Sequence, residues 1–143
     1  MESTEGRMVR FGSMELRFLV DETDGKGEMV VFEMAVQPDA RVPAAHYHEA
    51  VDEAVYGLEG TLTTMLDGVA HEIRPGQSLF ISRGHVHHHA NRHAEPAKVL
   101  IVLTPGSIGR RYFEDMREVA SGPGTPDLAR IGEIMRRHGL VPA

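Results

Sequence analysis

The chain has 143 residues, a length that fits one domain and can bury a hydrophobic core without disulfide bonds. It contains no cysteine, so any metal ligands must come from histidine, aspartate and glutamate. Lysine and arginine number 15 against 21 acidic residues, and this net charge of -6 disfavours a nucleic acid partner. The first 20 residues hold no continuous apolar run. No segment approaches the roughly 18 apolar residues of a membrane span, so we expect no secretory signal, no membrane partner and a cytoplasmic location.

Short apolar runs follow one another from about residue 7 to residue 104. Turn pairs such as Asp24-Gly25, Asp67-Gly68 and Pro75-Gly76 separate them. Runs recurring about every ten residues predict an antiparallel sandwich or barrel, and Asp67-Gly68 predicts a tight hairpin. The predicted strands are Glu15–Val20, Glu28–Val36, Ala54–Leu58, Thr61–Leu66, Val69–Ile73, Ser78–Ile81, His85–Ala90 and Lys98–Leu103.

The spacing of apolar residues changes after Pro105 and predicts two amphipathic helices. The two stripes are Ile108, Tyr112, Met116 and Val119, and then Leu128, Ile131, Ile134 and Met135. Thr125-Pro126 predicts the start of the second helix, and Gly139 its end. We therefore expect a strand-rich part over residues 1–106 and a helical extension over 107–143 that packs on it, within a single domain.

Most of the nine histidines lie between positions 46 and 93, a concentration that core packing does not require. Residues two apart in a strand share one face, so His46 and His48 are predicted to face one interior, with Glu53 close behind. By the same argument His85, His87 and His89 share one face of a second extended segment. A closed barrel brings the two segments together. Imidazoles with one carboxylate suit Mn, Fe, Co, Ni, Cu or Zn, and are too rich in nitrogen for Ca or Mg.

The spacing of these residues resembles both motifs of the cupin family. The first motif, G-x5-H-x-H-x(3,4)-E-x6-G, runs here through Ala40, His46, His48, Glu53 and Gly60. The second motif, G-x5-P-x-G-x2-H-x3-N, runs here through Gly76, Ser82, Gly84, His87 and Asn91. Alanine replaces the leading glycine of the first motif and serine replaces the proline of the second. Both departures affect turns and leave the ligand positions intact.

The resemblance implies an all-β fold, a small antiparallel jelly-roll (double-stranded β-helix) barrel with a short C-terminal helical extension. It implies one divalent transition metal (Mn, Fe, Co, Ni, Cu or Zn) held by His46, His48, Glu53 and His87, with a structural role for Asn91. It also implies a homodimer that acts on a small-molecule substrate. The C-terminal stretch is similar to the tail of bacterial single-domain cupins, among them the flavonol dioxygenases (quercetinases).

Simpler interpretations stand beside these. The three motif histidines are also compatible with hydrogen-bonded core positions, and Asp52 is an alternative ligand to Glu53. His85 and His89 fit either a role behind the ligands or an exposed position, whereas His88 and His93 are expected to be exposed. The run His87-His88-His89 also binds nickel adventitiously in preparations. Tyr56 is expected to pack in the core, and Tyr112 and Phe113 either to pack or to cap the barrel mouth.

Three functions fit this pattern, because one fold supports many chemistries. The first is a metal-dependent dioxygenase acting on a small oxygenated, aromatic or flavonol-like molecule. In that reaction Glu53 is both a ligand and the general base for the substrate hydroxyl. The second is a metal-dependent isomerase, lyase or decarboxylase acting on an enolisable carbonyl compound. The third is a barrel that binds a small molecule without catalysis.

Overall fold

A computed structural model describes residues 7–40, 45–120, 124–125 and 127–143. These residues form eleven strands and two helices. The strands are β1 (Met8–Phe11), β2 (Met14–Val20), β3 (Val30–Val36), β4 (His46–His48), β5 (Asp52–Glu59), β6 (Leu62–Leu66), β7 (Val69–Ile73), β8 (Ser78–Ile81), β9 (His87–Ala90), β10 (Ala97–Thr104) and β11 (Leu140–Pro142), and the helices are α1 (Arg110–Ala120) and α2 (Leu128–Arg137).

The strands form two antiparallel sheets that enclose the core. The larger sheet has the order β1-β2-β3-β10-β5-β8 and the smaller one the order β11-β4-β9-β6-β7. In β3 and β10, buried residues alternate with half-buried ones, as expected of strands with one face toward a core. All eight predicted strands are thus present, and the predicted β architecture with two C-terminal helices is confirmed. The short strands β1, β4 and β11 were not among the predicted strands, although His46 and His48 were expected to lie in an extended segment.

Turn chemistry sets the registers that align the strands. The β6–β7 hairpin has Leu66 opposite Val69, and its two turn residues, Asp67 and Gly68, have positive φ angles of 48° and 81°. This is the backbone that a two-residue hairpin requires, so the predicted tight turn is confirmed. Among the described non-glycine residues only Asp39 and Asp67 have positive φ. Ala40 therefore takes the place of the motif's glycine without backbone strain.

Two predicted strands begin two residues later than expected. Strand β3 starts at Val30 because the Glu28 carboxylate accepts a hydrogen bond from the Lys26 backbone, which extends the preceding turn. Strand β9 starts at His87, since Gly84 has a φ of 85° and the His85 side chain lies outside, bonded to Asp67.

The two helices follow the prediction with corrected details. Tyr112 and Met116 are buried on α1, and α2 buries Ile134 and Met135. Leu128 is 78% exposed, so its place in the second stripe was wrong. The N-cap of α2 is Asp127, whose carboxylate accepts hydrogen bonds from two backbone N–H groups, and not Thr125; Pro126 lies outside the described residues. Gly139 ends this region with a φ of 83°, as predicted.

The chain beyond α2 returns to the barrel. Strand β11 pairs with β4, placing Leu140 opposite His48 and Pro142 opposite His46. Backbone hydrogen bonds from Glu49 N to Gly139 O and from Ala143 N to Ala45 O flank this pairing. The extension is therefore not only helical, because its last residues complete the smaller sheet beside two motif histidines. No helix in the described part of the chain is long and apolar enough to cross a membrane.

Candidate metal centre

Three imidazoles meet inside the barrel. His46 and His48 lie on β4, and His87 lies directly across from His46 on β9. One ring nitrogen from each lies within 4.8 Å of the others, and the Nε2 atoms of His46 and His48 are 3.3 Å apart. His48 and His87 are 4% and 2% exposed. The structure therefore brings together the three histidines that the sequence selected from two separate segments.

Glu53 enters this cluster from the opposite sheet, on β5. Its Oε1 atom is 3.6 Å from His87 Nε2 and 4.0 Å from His48 Nε2, and the residue is 5% exposed. Asp52 points away and forms an ion pair with Arg83, with 3.0 Å between Oδ2 and the guanidinium nitrogen. The structure thus places Glu53 beside the histidines and excludes Asp52 from them, while ligation by Glu53 stays a prediction.

The second oxygen of Glu53 is engaged by His89. His89 Nε2 lies 2.9 Å from Glu53 Oε2, and His89 Nδ1 lies 2.8 Å from the hydroxyl of Thr64. All three residues are buried. The sequence predicted either a position behind the ligands or an exposed position for His89, and the structure shows the position behind the ligands. The sequence signal for this role of His89 was its position two residues after His87, which places both side chains on one face of β9. No sequence signal pointed to Thr64.

The residues present fit a divalent transition metal. Two ligand nitrogens at about 2.1 Å from one ion lie roughly 3.0–3.4 Å apart for octahedral or tetrahedral geometry, which matches the 3.3 Å between the two Nε2 atoms. His87 Nε2 is buried and has no hydrogen-bond partner among the described residues. A buried nitrogen of this kind is costly unless a ligand satisfies it. The donor set of imidazoles and one carboxylate suits late first-row metals.

Electrostatics prepares His48 and Glu53 to bind a cation, whereas a proton competes for the ring of His87. Burial lowers the pKa of His48 to about 4, so this ring is neutral at physiological pH. Burial alone would raise the pKa of Glu53, but its contacts with His87 and His89 hold that pKa well below the usual range. Burial likewise opposes charge on His87, yet the Glu53 carboxylate raises the pKa of this ring. The 3.6 Å separation of His87 and Glu53 makes their contact one of charge, beyond hydrogen-bonding distance.

The candidate metal ligands line part of an apolar cavity of about 50 Å³. Its walls include Met14, Phe32, Met34, Ile101, Ile108 and Phe113, together with Tyr112 and the site residues. The ring centroid of Phe113 on α1 is 5.5 Å from that of Phe32, so helix and barrel share one aromatic cluster. Tyr112 and Phe113 therefore pack against the barrel and line the cavity, which confirms the first predicted alternative, while capping of the barrel mouth stays a prediction.

The other motif residues have positions outside this centre. Asn91 is buried, and its amide bonds the backbone of Val36, Glu95 and His93, in agreement with a structural role. His93 is exposed, as expected, and its Nε2 lies 2.6 Å from a Glu72 oxygen.

Exposure decides three further expectations. His85 is exposed and paired with Asp67, which is one of its two predicted alternatives. The expectation that His88 is exposed was wrong, because it is half-buried on the outer face of β9. Tyr56 is 45% exposed, so the expectation that it packs in the core was wrong; it lies on the outer face of β5.

Fold and site together define a double-stranded β-helix barrel that presents a histidine-rich cluster from its interior. The cupin domain model matches residues 32–103, half of the chain and all of the segment that carries the site. The chain belongs to the cupin family. The resemblance inferred from the two motifs is thereby confirmed.

Similar proteins differ in activity. The chain is 27% identical over 139 residues to a quercetin 2,3-dioxygenase from Bacillus subtilis, covering 95% of this chain and 40% of that protein. It thus spans about 40% of the length of the curated relatives it matches. The polyketide cyclase RemF from Streptomyces resistomycificus is 31% identical with a TM-score of 0.59, over 67% of this chain and 70% of that one. A sugar phosphate isomerase from Silicibacter pomeroyi is 29% identical with a TM-score of 0.58, over 64% and 59%.

Proposed function

We propose that this protein is a metal-dependent oxidoreductase, a dioxygenase that acts on a small oxygenated aromatic molecule of flavonol type. The proposal rests on one observation: His46, His48, His87 and Glu53 Oε1 come together in the lining of an apolar cavity with aromatic walls. The similarity to a quercetin 2,3-dioxygenase over 95% of the chain supports it. A dioxygenase places both oxygen atoms in the product, so the reaction needs no external reductant.

Each group has a chemical part in this proposal. A divalent ion bound by the three histidines and Glu53 would supply Lewis-acid activation and open positions for substrate oxygen and O2. Glu53 Oε1 faces the histidines and is the base for the proton of a substrate hydroxyl. The proton goes to a carboxylate whose other oxygen is already held by His89. Phe32, Phe113 and Ile108 exclude water from the reacting atoms.

The charge of the cavity favours a neutral substrate. Glu53 is its acidic residue, and no lysine or arginine is among the described residues that line it. A phosphate or carboxylate group would find no cationic partner there, and burying an unpaired anion is costly. A neutral phenol or enol meets no such cost.

The size of the cavity adds a further condition. A volume of about 50 Å³ holds no more than about two water molecules, at about 30 Å³ each. An aromatic substrate therefore fits only when side chains that line the cavity rearrange.

Oxygen consumption by fully metallated protein tests the proposal. We expect uptake with at least one member of a panel of flavonols and small enediols, and none with phosphorylated sugars. Glu53→Gln removes the base with little change in shape and is expected to slow turnover about 10²–10⁴-fold. His88→Ala, a substitution on the outer face of the same strand as His87, is the control and should retain full activity. Absence of oxygen uptake across the panel with a metal-loaded protein would refute the dioxygenase.

A metal-dependent isomerase, lyase or decarboxylase is the second candidate. It is favoured by RemF, which is named a cyclase and matches at 31% identity over 67% of this chain. In this reaction Glu53 would move a proton of an enolisable carbonyl substrate and O2 would take no part. Turnover under strict anaerobiosis would support this candidate, and loss of turnover without O2 would exclude it.

A further inference from the structure

Behind the candidate ligands lies a buried line of three polar side chains, Thr64, His89 and Glu53. They come from three strands, β6, β9 and β5, in two sheets. Thr64 is directly opposite His89 in the β6–β9 register, and the two hydrogen-bond distances along the line are 2.8 and 2.9 Å. The three residues are 0%, 7% and 5% exposed.

The chemistry of these groups fixes the direction of the hydrogen bonds. An ionised carboxylate only accepts hydrogen bonds, so His89 must donate from Nε2 to Glu53 Oε2. In the neutral ring Nδ1 then accepts, and the Thr64 hydroxyl is the donor it faces. Thr64 therefore selects the tautomer of His89, and His89 in turn fixes the orientation of the carboxylate.

Orientation of the carboxylate decides which oxygen reaches the cluster. With Oε2 held by His89, Oε1 is the oxygen that lies nearest to His87 Nε2 and His48 Nε2, at 3.6 and 4.0 Å. Glu53 is thereby prepared to bind through one oxygen. Binding through both oxygens would break a buried hydrogen bond and leave His89 Nε2 without an acceptor.

We infer that His89, set by Thr64, is a positioning residue that holds Glu53 for one-oxygen contact with a metal at the histidine cluster. The inference deepens the proposed function and rests on the metal site within it, but not on the dioxygenase chemistry. Residues that orient a ligand in this way typically contribute 10- to 100-fold to metal affinity.

The test is cobalt(II) binding to wild type and to His89→Leu, measured by chelator competition and by the visible absorption of the bound ion. We expect His89→Leu to bind cobalt about 10- to 100-fold more weakly, with a changed absorption spectrum. His88→Leu, on the opposite face of β9, is the control and should match wild type in both measurements. His89→Gln returns an N–H donor toward Oε2 and should recover part of the affinity, which a loss of packing would not.

A double-mutant cycle separates action through Glu53 from independent effects. If His89 acts through Glu53, adding His89→Leu to Glu53→Ala causes no further loss of affinity. Additive losses would make His89 an independent contributor and overturn the inference. If His89→Leu does not fold, Thr64→Val, which is isosteric, carries the test. A wild-type spectrum and affinity in Thr64→Val would then overturn the inference, and a severalfold loss would support it.

Failure of this inference is distinguishable from failure of the proposed function. One outcome combines the non-additive losses of cobalt affinity expected of the double-mutant cycle with no oxygen consumption on any substrate. That result would support the positioning role of His89 and refute the dioxygenase. Oxygen uptake with a His89→Leu variant that binds cobalt like wild type refutes the positioning role alone. A folded wild-type protein that binds no cobalt refutes both.

Discussion

Asn91 offers a test of structural support that is independent of metal. Its amide nitrogen donates to Val36 O at 3.0 Å and Glu95 O at 2.8 Å, and its Oδ1 accepts from His93 N at 2.9 Å. The side chain is 1% exposed, so water does not replace these bonds after truncation. Three hydrogen bonds at about 0.5–1.5 kcal/mol each predict that Asn91→Ala lowers the free energy of unfolding by about 2–4 kcal/mol.

Urea denaturation of the metal-free protein is the assay, because a bound ion would add its own stabilisation. With a slope of about 2 kcal/mol/M, the midpoint should fall by about 1–2 M. Arg92→Ala, at the exposed neighbouring position, should change stability by no more than about 0.5 kcal/mol. Metal content of Asn91→Ala should equal that of wild type. An unchanged midpoint with metal lost would show that Asn91 is a ligand, and the structural reasoning would fail.

Three further substitutions test the turn, the cavity wall and the assembly. Gly60 has a φ of 63°, and a Cβ added there would lie 2.2 Å from Pro96 O. A Cβ added at Gly68 would meet nothing within 4 Å, so Gly68→Ala costs only the backbone strain of about 1–2 kcal/mol. Gly60→Ala should therefore lower the free energy of unfolding far more than Gly68→Ala. Phe113→Ala removes an aromatic wall worth about 0.5–1.5 kcal/mol, so KM for an aromatic substrate should rise about 2- to 10-fold. Phe80 is 60% exposed on edge strand β8, and Phe80→Asp should turn the proposed homodimer into monomer in light scattering.

Each of these has a contradicting result. Equal thermal midpoints for the two alanine variants would show that the barrel relaxes around Gly60. An unchanged KM in Phe113→Ala would remove this residue from the substrate site. A monomeric wild-type protein at micromolar concentration, or a dimer that persists in Phe80→Asp, would refute a homodimer through this edge.

Regular patterns made much of the fold predictable from the sequence. Strands such as β3 and β10 combine β-branched residues with alternation, and the Asp67-Gly68 pair specifies its own hairpin. Strand β11 was not predicted because its three residues, which end in Pro142, are too few to show periodicity. It is a strand only because it pairs with β4, a contact between distant parts of the chain. Leu128 was misplaced because an apolar residue in the first turn fits a helical stripe whether or not the barrel lies beneath it.

The ligand positions were predictable for a different reason. Spacing in the sequence fixes which face of a strand His46, His48 and His87 occupy, and the barrel then brings those faces together. The role of His89 depends on its distance to Glu53, a contact across two sheets that no local pattern encodes. The same holds for the lining of the cavity by Phe113, since its position depends on how α1 packs.

The most direct test of the account is elemental analysis of tag-free protein beside its His87→Ala and His88→Ala variants. The account predicts one equivalent of a divalent transition metal per chain in wild type and in His88→Ala, and loss of that metal in His87→Ala. His88→Ala also interrupts the histidine run without touching the interior, so it separates adventitious nickel from the site. Equal metal content in wild type and His87→Ala, or none in any protein after reconstitution, would contradict a metal centre at these histidines.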